Sequence, residues 1–144
     1  MNITDFYALY LQANKVTIDS RKVEKNDIFF AFSGDNFNAA TLAETAIDNG
    51  ALAVIVEDEN FENTAKNIFY VKSTLEFLQD LAKHHRAQLS IPIIALTGSN
   101  GKTTTKEIIH AVLSQKYNTQ YTFGNLNNHI GVPLTVLSIK PEHE

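Results

Sequence analysis

Two glycines, a lysine and two threonines stand together in Gly98-Ser99-Asn100-Gly101-Lys102-Thr103-Thr104, a combination suited to holding phosphate. Glycine lets successive backbone N–H groups turn inward toward an anion, because no β-carbon blocks the approach. Lys102 is placed to reach the outer phosphates and to neutralise charge as a phosphoryl group is transferred, and the Thr103 hydroxyl to ligate a Mg²⁺ that travels with a nucleotide. The full Walker A spacing puts a glycine where Leu96 stands, which loosens the match. Read alone, the stretch also suits a glycine turn with a solvated lysine, and Thr104, Thr105 and Lys106 suit exposed first-turn positions.

The flanking elements favour the phosphate loop. Ile93, Ile94, Ala95 and Leu96 form an apolar run of strand type, and Ile108, Ile109, Val112 and Leu113 then fall at helical spacing, so a helix N-terminus points at the loop. Further along, residues 117–122 predict a second strand and residues 134–139 a further apolar element, read as a helix. Upstream, Asn2 with Asp5 begins a helical pattern through Phe6 and Tyr10, and Ser73 with Glu76 begins another through Leu78 and Leu81. Between them, residues 16–18, 27–32, 51–56 and 68–71 predict short strands. Leu42, Ala43, Ala46 and Ile47 predict a helix closed by Gly50.

The expected fold class is α/β: a small N-terminal α/β domain over residues 1–88, then the first βαβ unit of a phosphate-loop domain over residues 89–144. Ser90-Ile91-Pro92 marks the boundary, because proline bars continuation of the preceding helix. A single βαβ unit cannot cover its own sheet faces. Either it packs on the first domain or the chain is a fragment of a longer protein.

Hydrophobic residues make up 44% of the chain and charged ones 19%, the balance of a globular protein with a real core. A net charge of −4 and the lack of any basic block argue against nucleic acid as the main partner. With no cysteine, disulfides and thiolate metal sites are excluded. No signal-peptide pattern or membrane-length apolar run occurs, so a cytoplasmic protein without membrane insertion is the default, and a monomer the expectation. His84, His85 and His110 fall in predicted helices without a second ligand at metal spacing. His129 alone invites a test for substrate contact.

Three patterns together resemble the Mur ligase family. They are Asp19-Ser20-Arg21 with residues 27–34, the phosphate loop through Glu107, and Gly124-Asn125-Leu126-Asn127-Asn128-His129-Ile130-Gly131-Val132-Pro133. The Asn-rich loop and Thr105-Lys106-Glu107 resemble the members that add D-alanyl-D-alanine to UDP-N-acetylmuramoyl-tripeptide. The resemblance implies an ATP-dependent ligase of peptidoglycan precursor synthesis, acting through an acyl phosphate with ATP and Mg²⁺. It implies a uridine-nucleotide site at Ser20, Arg21, Phe32, Ser33 and Gly34. Asn125, Asn127, Asn128 and His129 would face the diphosphate and muramoyl portion; Gly98, Ser99, Asn100, Gly101, Lys102, Thr103 and Thr104 would hold ATP, with Thr103 on Mg²⁺ and Lys102 catalytic. Where most relatives carry an Asp-Gly-His-like triplet this chain has Asn38-Ala39-Ala40, so that triplet's role is open. The family's remaining metal ligands and amine-binding domain would lie past Glu144, and an isolated fragment would be inactive. Alternatives are another Mur-type ligase, a folylpolyglutamate synthase, a UDP-nucleotide binding module without catalysis, or a phosphate-loop regulator.

Overall fold

The structure, a computed structural model, describes residues 1–144. Four short strands, β1 (Val16–Thr17), β2 (Ile28–Phe30), β3 (Ala53–Val56) and β4 (Ile68–Tyr70), form one sheet in sequence order, every neighbouring pair parallel. The register is continuous: Val16 lies beside Ile28, Ile28 beside Ala53, and Val54 beside Ile68.

Alternation along the strands sends side chains to two separate cores. Ile28, Phe30, Ala53 and Ile55 face α1 (Ile3–Tyr10) and α3 (Thr74–Gln88), where Phe6, Phe77, Leu78 and Leu81 complete one cluster. Phe29, Ala31, Val54 and Val56 face a 3-10 turn (Ala39–Leu42) and α2 (Ala43–Asp48), whose Ala39, Ala40, Ala43 and Ala46 permit close packing. All four residues of β3 are buried, as expected of a parallel strand covered on both sides.

Local signals explain the helix starts. Asn2 accepts from Asp5 N at 2.9 Å and Ser73 from Glu76 N at 3.2 Å, so both predicted caps form. Gly50, at φ +101°, ends the α2 segment in a left-handed turn. One buried carboxylate, Asp27, is held by Glu24 N at 2.9 Å, with Lys15 Nζ at 3.6 Å, and secures the turn into β2.

The second half differs from the expected βαβ unit. Its helix forms as α4 (Lys102–Leu113), but residues 93–96 and 117–122 are not strands. An apolar run becomes a strand only beside a partner that takes up its backbone hydrogen bonds, and no strand lies alongside either stretch. Ile93 and Ile94 remain 44% and 61% exposed. Polar groups at 118–120 instead bond to the chain's last residues: Asn118 Nδ2 to Glu142 O at 2.9 Å and Gln120 Nε2 to Ser138 Oγ at 2.5 Å.

The apolar element after the Asn-rich loop is a helix, α5 (Gly131–Leu137), and it joins the first unit. Leu137 enters the cluster containing Phe6 and Leu81, and α5 packs along α3. Tyr10 Oη donates to Leu137 O at 2.8 Å. No helix is long and apolar enough to cross a membrane.

Because Leu137 is only 5% exposed while Val132 on the same helix is 51% exposed, their truncations separate. Urea unfolding of Leu137→Ala should show a loss of about 2–3 kcal/mol, and of Val132→Ala less than about 0.5 kcal/mol. Equal effects would mean that α5 is not part of this core.

Candidate functional site

Parallel sheets gather loop residues at the carboxyl ends of their strands, and four such ends meet here. After β1, Asp19 accepts from Arg21 N at 3.1 Å and starts a 3-10 turn over Ser20–Lys22. Its carboxylate also takes two bonds from the Arg21 guanidinium, both at 2.9 Å. The hydrogen bond from Arg21 holds the Asp19 carboxyl at about 2, well below its ordinary value, and Asp19 in turn raises Arg21. The pair is solvent-facing, with the Arg21 side chain 85% exposed, so its net strength is small and the guanidinium is free to exchange partners.

After β2, Phe32 packs against the first core, and Gly34 pairs back onto Phe37 in an isolated antiparallel bridge. Ser33 Oγ accepts from Ala39 N at 3.0 Å. Asn38, in the triplet whose role was open, accepts from Ala40 N at 3.0 Å and so caps the turn that leads into α2. Its Nδ2 donates to Asp58 Oδ2 at 2.8 Å, across to the end of β3, and this bond holds the Asp58 carboxyl below its ordinary value. Ser33, Asn38, Glu57, Asp58, Asn60 and Tyr70 line one polar depression. Of these only Ser33 was expected from sequence. The others follow β2 or β3 or, as Tyr70, end β4, and no local spacing announces their meeting.

The phosphate loop has the backbone its glycines suggest: Gly98 at φ +145° and Gly101 at φ +79°, the latter capping α4 in a left-handed conformation. A β-carbon at Gly101 would meet nothing within 4 Å, so conformation rather than crowding requires glycine there. The first i→i−4 bond of α4 runs from Thr105 N to Gly101 O at 2.9 Å. The N–H groups of Lys102, Thr103 and Thr104 precede it and face out of the helix end. Lys102 Nζ bonds to Gly98 O, folding the ammonium over the loop. No cluster of three or more His, Cys, Asp or Glu side chains is arranged to hold a metal ion. The Thr103 hydroxyl is exposed in the first turn of α4.

The Asn-rich loop is fixed at both ends. Lys106, on α4, donates to Thr122 O at 2.5 Å and Gly124 O at 3.1 Å, and His110 stacks on Tyr121 with centroids 3.9 Å apart. At the far end Asn128 Oδ1 accepts from Ile130 N at 3.1 Å and Gly131 N at 2.7 Å. A β-carbon at Gly131 would lie 2.6 Å from Leu126 backbone atoms, so glycine is needed here for close approach. Asn125, Asn127 and His129 are exposed, while Gln79 Nε2 of α3 donates to His129 O at 3.1 Å. Asn127, Asn128 and His129 line a groove with α3, which the phosphate loop and the Ser33 depression do not share.

His85 secures the chain beyond α5. Its Nε2–H donates to Ile139 O at 2.9 Å, so Nδ1 accepts from the Tyr7 hydroxyl, also at 2.9 Å. Both ring nitrogens are satisfied in the neutral form, and burial pushes its pKa below the ordinary 6.5. Burial also raises Tyr10.

Residues 12–86 match the Mur ligase family, catalytic domain, and residues 96–144 the Mur ligase middle domain. Over 130 residues the chain is 44% identical to the UDP-N-acetylmuramoyl-tripeptide–D-alanyl-D-alanine ligase of Bacillus subtilis, covering 89% of this chain and 28% of the relative. It is 43% identical over 129 residues to the Escherichia coli ligase of the same name, covering 90% and 28%. A crystal structure of MurF from Acinetobacter baumannii superposes with a TM-score of 0.79 at 38% identity, over 91% of this chain and 28% of that one. MurF ligase from Thermotoga maritima in complex with ADP gives 0.77 at 34% identity, over 93% and 31%. The chain thus spans under a third of the length of these relatives.

A folded-state His85 that resists protonation makes stability depend on acidity. Above pH about 6.5 neither state is charged and the contact is intact; as pH falls below that value the unfolded chain takes the proton first, and stability is lost. Thermal melts between about pH 7 and pH 5 should show a falling Tm, with a shallower fall for His85→Gln.

Proposed function

The chain belongs to the Mur ligase family, and we propose that it carries the nucleotide-sugar end and the phosphate loop of a peptidoglycan-precursor ligase, one that joins D-alanyl-D-alanine to UDP-N-acetylmuramoyl-tripeptide. The observation that carries this reading is identity of 43–44% to curated ligases of that name over about nine tenths of the chain, taking in both the first unit and the phosphate loop.

The residues suit the assigned parts. Ser20 and Arg21 offer a hydroxyl and a guanidinium to a uracil edge and a diphosphate, with Ser33 and Gly34 at the neighbouring strand end. Asn125 and Asn127 offer amide donors without adding charge, which suits a crowded anionic site. Gly98 to Thr104 take the ATP phosphates, and an ADP complex of the Thermotoga maritima MurF supports nucleotide use.

On this reading the tripeptide's terminal carboxylate attacks the γ-phosphorus, its oxygen gaining the phosphoryl group as the bond to ADP breaks. The amine of D-alanyl-D-alanine then adds to the acyl carbon, and the tetrahedral intermediate expels phosphate. Lys102 leaves Gly98 O to neutralise charge on the transferred group, and the α4 N–H groups hold it in line. Mg²⁺ on Thr103, bound with the nucleotide, supplies further charge neutralisation. The 144 residues assayed alone are taken to bind these ligands without ligating them, since they correspond to under a third of the relatives' length.

Thermal melts test the binding half of this reading, since a ligand at a hundred times its Kd adds about 2.7 kcal/mol. UDP and UDP-N-acetylmuramoyl-tripeptide should raise Tm, with the shift lost in Arg21→Ala. Mg²⁺-ATP should raise it separately, with that shift lost in Lys102→Ala. A chain stabilised by ATP but by no UDP compound would sink the assignment of the first unit. Ligation of D-alanyl-D-alanine by the 144 residues alone would refute the expected lack of turnover.

A further inference from the structure

The groove between α3 and the Asn-rich loop has a composition unlike the rest of the molecule. One wall is Gln79, Lys83 and Arg86, spaced four and three residues apart on α3 and so on one helix face. The other is Asn127, Asn128 and His129. The floor is apolar, from Ala82, Val132, Pro133 and Val136. Its volume is about 850 Å³, within the usual range for a small-molecule site.

No carboxylate lines this groove, although acidic residues outnumber basic ones sixteen to twelve in the chain. The nearest partner is Asp80, which pairs with Lys83 at 2.9 Å from outside the groove; with side chains 55% and 75% exposed, the pair is weak enough for Lys83 to turn inward. Arg86 is held in place by its bond to Leu89 O at 2.9 Å, a contact that leaves the guanidinium charge uncompensated. Across the groove, Asn128 spends its Oδ1 on the α5 cap and keeps its amide N–H groups for a ligand. Gln79 bridges the walls through His129 O, fixing their separation.

Two cations, a set of amide donors and a greasy floor together recognise an anion attached to an apolar body. We propose that this groove holds the anionic end of the substrate, with Lys83 and Arg86 on α3 supplying the charge that the Asn-rich loop lacks. The inference rests on the reading of the chain as binding a UDP-linked muramoyl peptide, and it adds α3 as a wall of that site. Diphosphate and peptide carboxylates share the required chemistry.

The test is calorimetric titration of the full 144-residue chain and of its Lys83→Gln and Lys83→Glu variants. Three ligands separate the sources: UDP-N-acetylmuramoyl-tripeptide, UDP alone, and N-acetylmuramoyl-tripeptide lacking the nucleotide. Lys83 is exposed, so both variants should melt with the wild type, and a binding change is then not a folding change. The whole substrate should bind Lys83→Glu about tenfold or more weakly and Lys83→Gln about threefold more weakly, with the wild-type affinity falling as salt is raised. Weakening on the UDP arm assigns the groove to the diphosphate; weakening on the peptide arm assigns it to the carboxylates. Unchanged affinity of Lys83→Glu for a substrate that the wild type binds overturns the groove and leaves the ligase reading standing. Failure of the wild type to bind any of the three overturns that reading and the groove with it.

Discussion

A parallel sheet must be covered on both faces, and this requirement organises the molecule. Its ladder leaves no face free for water, because crossovers carry helices over it. In β3 the demand is met residue by residue: Ala53 and Ile55 enter one core, Val54 and Val56 the other. The four strands advance in order, so their carboxyl ends open along one edge, and Ser20, Ser33, Asn38, Asp58 and Tyr70 follow those ends or stand at them. The candidate nucleotide-sugar site is a by-product of how the cores were closed.

Features that depend on near neighbours could be read from the sequence. Asn2 with Asp5, Ser73 with Glu76, and Gly50 each act within one turn of chain, and each takes its expected place. The order of helices and strands in the first unit followed from hydrophobic spacing. The turn at Gly98 and Gly101 and the helix after it could be read because glycines, lysine and helical pattern are contiguous.

What the sequence hid was distant or conditional. Tyr10 and Leu137 are 127 residues apart, and nothing local says that α5 will complete the first core. Asn38 looked like a departure from a family triplet, and its capping bond and its reach to Asp58 needed coordinates to be seen. Residues 93–96 have a strand's composition without a strand's neighbours, and strand identity belongs to the pair rather than the segment. The groove joins α3 to residues fifty positions later, through Gln79 and His129.

The double tether of the Asn-rich loop has a thermodynamic consequence. A loop of free amides would have to surrender its backbone freedom each time a ligand arrived, at roughly 1–2 kcal/mol per residue ordered. Here Lys106 grips one end through two carbonyls, while Asn128 and the tight approach of Gly131 to Leu126 lock the other onto a helix already seated in the core. That ordering cost falls on folding, where the burial of Leu137 and its neighbours offsets it. On the proposed reading a ligand meets a loop whose two ends are already ordered, so more of each new hydrogen bond survives as affinity.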